Sequence, residues 1–179
     1  MMLDKITNQP VIETDRFDLR PLRKSDLGLI DMYCSDPRVA KNTRSIPHPL
    51  PPGATEAMIV RSMEDERTED VWAIDGTKQG ACEVMGLIML DHMDRNQSEI
   101  RYWVAPAFWN TGVASQAVTA LIEANPQDSA TMFAEVFQDN PASARVLTNC
   151  GFEYLGDAET FSVARNSKVQ TWTYSRKLD

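Results

Sequence analysis

Cationic side chains are in short supply in this chain. Its 179 residues hold 18 lysines and arginines against 26 aspartates and glutamates, a formal net charge of −8 at pH 7. Nucleic-acid surfaces are normally basic, so this balance argues against DNA or RNA as a partner and weakly favours cationic ones such as amines. Long apolar runs are missing too. No stretch approaches the roughly 20 residues a membrane helix needs. Residues 1–10 are polar and lack the apolar core of a signal peptide,. These absences read as a cytoplasmic chain that works away from membranes. Three cysteines, Cys34, Cys82 and Cys150, lack C-x-x-C spacing and read as free thiols in a reducing compartment,. The two histidines, His48 and His92, do not cluster with them, so a metal site has little support,. No repeat, low-complexity segment or domain boundary interrupts the chain, and residues 1–179 read as a single domain,.

What is present is an ordinary globular balance, 42% hydrophobic and 25% charged, enough for one core. The alternation Phe17-Asp18-Leu19-Arg20-Pro21-Leu22 predicts a half-buried strand that Pro21 limits,. Ser25-Asp26 can cap a helix running to about residue 34, with Leu27, Ile30 and Met32 among its apolar residues, and Asp36-Pro37 stops or redirects it,. Pro47, Pro49, Pro51 and Pro52 mark a surface loop,. A helix over 54–67 follows, with Ala57, Met58, Val60 and Met63 as its candidate buried residues and a solvated charged end over 64–70. Strands over 71–75, 84–90 and 99–104 form an antiparallel meander. The middle one is almost continuously apolar, as a strand covered on both faces is. Then come a helix over 112–124 with Val113, Val118, Leu121 and Ile122 on its apolar face, a strand over 131–136, and a helix over 140–150,. The last has Asn140 as N-cap, Pro141 at its first position and Gly151 as terminator,. Strands over 152–156 and 169–178 close the chain. The order predicts a mixed α/β (α+β) sheet with helices packed on it.

The most informative junction is the one after Val104. A strand ends, a compact turn follows, and a helix begins at Gly112. Free N–H groups and the helix dipole make such an N-terminus an anion site. The turn is poor in charged side chains, so a phosphate held there is held by backbone, as a pyrophosphate-bearing cofactor can be. Taken alone, the segment is equally readable as a mere strand-to-helix turn.

Three segments carry a family resemblance. Glu13-Thr14-Asp15-Arg16-Phe17-Asp18-Leu19-Arg20-Pro21-Leu22 is similar to an opening "TERLxLRPL" strand. Glu99-Ile100-Arg101-Tyr102-Trp103-Val104 with Trp109-Asn110-Thr111-Gly112-Val113-Ala114 is similar to "EIGYWL…WGKGYA". Asn140-Pro141-Ala142-Ser143-Ala144-Arg145-Val146-Leu147 with Gly151-Phe152 is similar to "NxxSxxvlxxxGF". Together they resemble the GNAT acetyltransferases, and among them the RimJ/RimL-type N-acetyltransferases. The chain departs from that pattern at three places. Ala107 stands where the family has Gln or Arg, Asn110 replaces its first loop glycine, and Arg101 replaces another glycine. Asn tolerates the left-handed region, so the turn's backbone can survive.

The resemblance implies a GNAT-like, mostly antiparallel central sheet flanked by helices, with acetyl-CoA as cosubstrate and no metal. It implies a cofactor site at Val104, Ala105, Asn110, Thr111, Gly112, Val113, Ala114, Ser115 and Asn140. It implies Glu99 as the group that accepts the ammonium proton and Ser143 as proton donor to the departing thiolate. Backbone N–H groups near Val104 and Ala105 would stabilise the oxyanion. The plainer readings stand beside these: Glu99 as an edge charge that Arg101 could pair, Asn140 as a cap, Ser143 as a first-turn hydroxyl. Arg101 could fill part of the acceptor pocket or select an acidic substrate, and His48 could line the acceptor cleft. The acceptor is an amine, either a protein N-terminal α-amino group or a small molecule such as a polyamine or aminoglycoside. A non-catalytic acyl-CoA-binding regulator and a structural interaction domain are the alternatives. The meander or the last strands could offer a homodimer edge.

Overall fold

The computed structural model describes residues 9–178. The polar N-terminal segment read above lies, through residue 8, outside the described residues. The strands are β1 (Ile12–Glu13), β2 (Asp18–Pro21), β3 (Glu69–Asp75), β4 (Gly86–Met93), β5 (Gln97–Val104), β6 (Thr131–Phe137), β7 (Glu153–Ser162) and β8 (Ser167–Lys177). They form one sheet in the order β1-β2-β3-β4-β5-β6-β8-β7. Every neighbouring pair is antiparallel except β5 with β6. The helices are α1 (Leu27–Cys34), α2 (Pro37–Ala40), α3 (Ala54–Ser62), α4 (Val113–Ala124) and α5 (Pro141–Asn149). The mixed, mostly antiparallel sheet flanked by helices is the expected fold class.

Strand alternation sorts the side chains into two layers. On one face Trp72, Ile74, Ile88, Leu90 and Ile100 pack against Val113, Val118 and Leu121 of α4 and Leu147 of α5. On the other, Val71, Ala73, Leu87 and Trp103 pack against Ile30 of α1 and Ile59 of α3. The apolar run before Leu90 is covered on both faces because it lies mid-sheet. The meander is therefore interior. Of the two proposed dimer edges, only the last strands, through β7, keep an open side.

Two helical assignments need correction. The helix after the proline loop ends at Ser62, and Glu69 and Asp70 already belong to β3. Its buried residues are Thr55, Ile59 and Ser62, while Val60 is 51% exposed. The hydroxyls of that buried stripe are satisfied: Thr55 Oγ1 donates to Asp31 Oδ1 at 2.7 Å and Ser62 Oγ to the Ile59 carbonyl at 2.6 Å. A satisfied hydroxyl can be buried at little cost, which an apolar-period reading does not register. In α1 only Ile30 and Cys34 are buried; Leu27 and Met32 face solvent.

The feature that positions the site is the β5–β6 pair. Its parallel pairing covers only Gln97, Ser98 and Glu99 against Thr131, Met132 and Phe133. Beyond Glu99 both strands continue but are no longer paired, and a wedge opens between them.

Candidate active site

The turn after β5 is built to bare a helix end. Pro106–Phe108 makes a 3-10 turn. Trp109, 42% exposed, pins the turn by donating its indole N–H to the Val104 carbonyl at 2.7 Å. Asn110 takes φ 60° and Gly112 φ 81°, the left-handed conformations that Asn tolerates and glycine adopts freely. Gly112 is the N-cap of α4 and offers no side-chain cap. The Gln116 N–H is the donor to its carbonyl, so the N–H groups of Val113, Ala114 and Ser115 find no partner inside the helix. Arg16 braces the loop from β2's approach, donating to the Thr111 carbonyl and to Gln116 Oε1.

In front of this helix end lies a cavity of about 440 Å³, bounded by α5 on its far side. Val104, Asn110, Thr111, Gly112, Val113, Ala114, Ser115 and Asn140 all line it. Ala105 does not. It is fully buried and its N–H donates to the Met85 carbonyl at 2.9 Å, so it is no oxyanion donor. Antiparallel alternation then turns the Val104 N–H away from β4 and into the wedge that β6 has left,. Ala107 lines no part of the cavity. Two arginines that sequence reasoning missed supply its cations. Arg38 of α2 chelates Asp36 and sits 5.9 Å over the Trp109 ring. Arg145 of α5 reaches the cavity with no carboxylate partner among the described residues. Arg145 was visible inside the α5 motif; Arg38 had no local signal.

A second cavity, of about 250 Å³, opens on the α1–α3 side of the sheet. Glu99, Arg101 and Glu135 form part of its floor, and residues 42–47 with α3 form its roof. The two cavities share Asn42, Tyr102, Trp103, Asn140 and Ser143, and so meet at the mouth of the wedge. His48, exposed in the proline loop, lines neither.

Glu99 is on this floor, but its ion-pair partner is not Arg101. Arg44, from the loop, binds both Glu99 oxygens and also reaches Glu135 Oε1 at 3.4 Å. Burial would lower the Arg44 pKa, yet the bonds to Glu99 and the charges of both carboxylates hold it above its ordinary value. Glu135 also accepts from Thr171 Oγ1 at 3.0 Å. Arg101 pairs instead with Glu69. Glu159, on β7, bonds Gln170 and Lys168 of β8, away from both cavities.

Asn140 occupies the N-cap position of α5 without capping it. Its side chain makes no bond to the helix N–H groups, and its amide donates to Ser143 Oγ at 3.3 Å. Ser143 is thereby oriented at the junction, beside Tyr102, whose hydroxyl donates to the Ser143 carbonyl at 3.2 Å. Burial holds the Tyr102 phenol well above its ordinary value, so it is a proton-bearing donor at neutral pH,. Strand alternation by itself gives Tyr102 a packing place on β5; the wedge puts its polar end in the site. Cys150 is buried as a small hydrophobe behind α4, its thiol 3.6 Å from the Ser115 carbonyl. Among the described residues no group of three or more His, Cys, Asp or Glu could hold a metal ion, and no helix is long and apolar enough to cross a membrane.

Comparison with known proteins fits this arrangement. A family model described as an acetyltransferase (GNAT) domain matches residues 16–153. The chain is 26% identical over 175 residues to the uncharacterized N-acetyltransferase YoaA of Bacillus subtilis (strain 168), covering 93% of this chain and 96% of the relative. Among solved structures it superposes on RimL, a ribosomal L7/L12 alpha-N-protein acetyltransferase in complex with coenzyme A, with a TM-score of 0.80, 16% identity and coverage of 95% and 99%. The microcin C7 self-immunity acetyltransferase MccE, in complex with acetyl-CoA and AMP, gives 0.79 at 16% identity over 92% and 94%. Spermidine N-acetyltransferase from Vibrio cholerae gives 0.73 at 17% identity over 89% and 95%. At these identities the likeness is one of fold.

Proposed function

The chain belongs to the acetyltransferase (GNAT) domain family, and on that premise we propose that it is an acetyl-CoA-dependent N-acetyltransferase acting on a primary amine by direct attack. The observation that carries this reading is the meeting of two cavities at the β5–β6 wedge, one in front of a bare helix end and one floored by ionisable side chains. The residues present fit the cofactor. The N–H groups of Val113, Ala114 and Ser115 would hold the pyrophosphate, and Arg38 and Arg145, which line the same cavity, would offset further phosphate charge,. Acetyl-CoA, when bound, supplies the thioester carbonyl that the amine attacks.

The chain's own residues do the rest. The Val104 N–H is a fixed donor for the carbonyl oxygen as charge develops there. Glu99 accepts the ammonium proton, through water, while Arg44 fixes its orientation,. Ser143, oriented by Asn140, and the protonated Tyr102 are the donors available to the leaving thiolate. The thiol pKa is roughly 8.5, so this donor assists a group that already leaves readily. Holding amine and thioester together supplies much of the rate.

The RimJ/RimL-like motifs and the RimL superposition support a protein or peptide α-amino group as acceptor. The spermidine and MccE neighbours support a small-molecule amine as the alternative. One observation favours a non-catalytic acyl-CoA-binding role: Glu99 is already neutralised by Arg44. Calorimetry with acetyl-CoA and CoA, using Gly112→Trp as control, tests the reading. Micromolar binding lost in the variant, followed by transfer to an amine, supports it. Binding without transfer to any amine favours the regulator, and absence of binding ends both.

A further inference from the structure

The acceptor cavity has cationic donors to spare. Of the charged residues lining it, Glu69 is held by Arg101, and Glu99 and Glu135 are held by Arg44. Arg61, at the rim on α3, has no carboxylate partner among the described residues. Arg101 uses a single nitrogen, Nη2, on Glu69. Its Nε is buried with no hydrogen-bond partner. A buried charged donor left unmade is costly, and a guanidinium's remaining edge matches a carboxylate or phosphate in fork geometry.

Resting on the acetyltransferase reading, we propose that the acceptor amine carries an anionic group, carboxylate or phosphate, that Arg101 binds in the cavity floor with Arg61 closing over it from the rim. Arg101 lies two residues along β5 from Trp103 at the wedge, ~7 Å of strand. The anion therefore sits a few bonds from the amine, as an acidic side chain does on an N-terminal residue. Polyamines lack such a group and would meet the unpaired Arg61 and the free donors of Arg101 with further positive charge. Burial and the nearby Arg44 charge push the Arg101 pKa down to about 10, and an added anion would oppose both.

The test is acetyl transfer from acetyl-CoA to probes that differ in the charge they carry beside the amine. Glutamyl-alanine amide is compared with glutaminyl-alanine amide and lysyl-alanine amide, and phosphoethanolamine with ethanolamine; the two sets separate a carboxylate from a phosphate source. The expected result is a kcat/KM at least about tenfold higher for an anionic member than for its neutral partner. In Arg101→Met that ratio falls to about one while the Kd for acetyl-CoA is unchanged, and Arg101→Lys restores part of it. The double variant Glu69→Gln/Arg101→Met removes the carboxylate that the single variant would strand, and must lose the preference equally. Equal rates, or a preference for the neutral or lysyl probe, overturn the proposal. If no probe turns over, calorimetry of each probe with the CoA-saturated protein decides: absence of tighter binding by the anionic members overturns it as well. Failure to bind acetyl-CoA at all would instead overturn the acetyltransferase reading beneath it.

Discussion

The backbone N–H of Val163 donates to the carbonyl of Arg44 at 3.0 Å. The tip of the β7–β8 hairpin is thus tied to the residue that orients Glu99. Arg165, from the same tip, donates to the Lys41 carbonyl at 2.9 and 3.0 Å and pairs with Asp139 at 2.5 Å. The last hairpin of the chain therefore holds the roof of the acceptor cavity without contributing a side chain to it.

Arg165→Ala should loosen that roof. The KM for the amine is expected to rise severalfold with the Kd for acetyl-CoA unchanged, since of the roof residues 42–47 only Asn42 also lines the cavity at the helix end. Thermal stability should move little, because the ion pair is largely exposed on the Asp139 side,. Steady-state kinetics in both substrates checks this, and an equal loss in both would show that the hairpin does not act through the roof.

Glu99→Gln should lower kcat by about 10²–10⁴ while leaving acetyl-CoA binding intact, the range for removing a general base. Ser143→Ala should cost much less, because the thiol is a good leaving group. Unchanged turnover of the glutamine variant from pH 6 to 9 would remove Glu99 from the mechanism.

Arg20 is a buried hub. Its guanidinium binds Asp26 at 2.8 Å and Asp75 at 2.7 Å, with side-chain exposures of 5%, 0% and 10%. Arg20→Met strands two carboxylates, and a loss of about 3–5 kcal/mol in a urea titration is expected.

The same hub sets an acid limit. Burial would raise the Asp75 pKa, but the bonds from Arg20 and Thr77 bring it below its ordinary value of 3.8. A carboxyl whose folded pKa is depressed contributes stability above the unfolded value, and that contribution is lost as pH falls through the folded one. The melting temperature should therefore hold down to about pH 5 and fall below about pH 4. Melting curves of Asp75→Asn should lack that share of the fall.

Gly86 sits opposite Val104, and a Cβ there would lie 2.3 Å from the Trp103 carbonyl oxygen and 2.9 Å from Val104 Cα. Gly86→Ala must push β5 aside, at about 1–3 kcal/mol. Because the Val104 N–H moves with the strand, kcat should fall more than acetyl-CoA affinity. A stable variant with unchanged kcat would show that this donor is not used.

Local chemistry made much of this protein legible from its residues alone. The near-continuous apolar run before Leu90, Pro141 at the start of α5 and Gly151 at its end act within one turn or one strand, so their reading needed no partners. Asn110 in the left-handed region and the bare N-terminus at Gly112 are likewise properties of a few consecutive residues. The faces of α1 and α3 were not legible, because burial there depends on hydroxyls that find partners: Thr55 on Asp31 of α1, and Ser62 on the Ile59 carbonyl of its own helix. Nor were the ion pairs. Arg44 meets Glu99 across 55 positions and Glu135 across 91, and Arg101 meets Glu69 across 32. Sequence determined which groups could do chemistry and where the helix end would be bared. Only the tertiary structure decided which charge answers which, because a pairing is set by distance in space, and the unpaired end of β5 and β6 is what brings these distant side chains to one mouth.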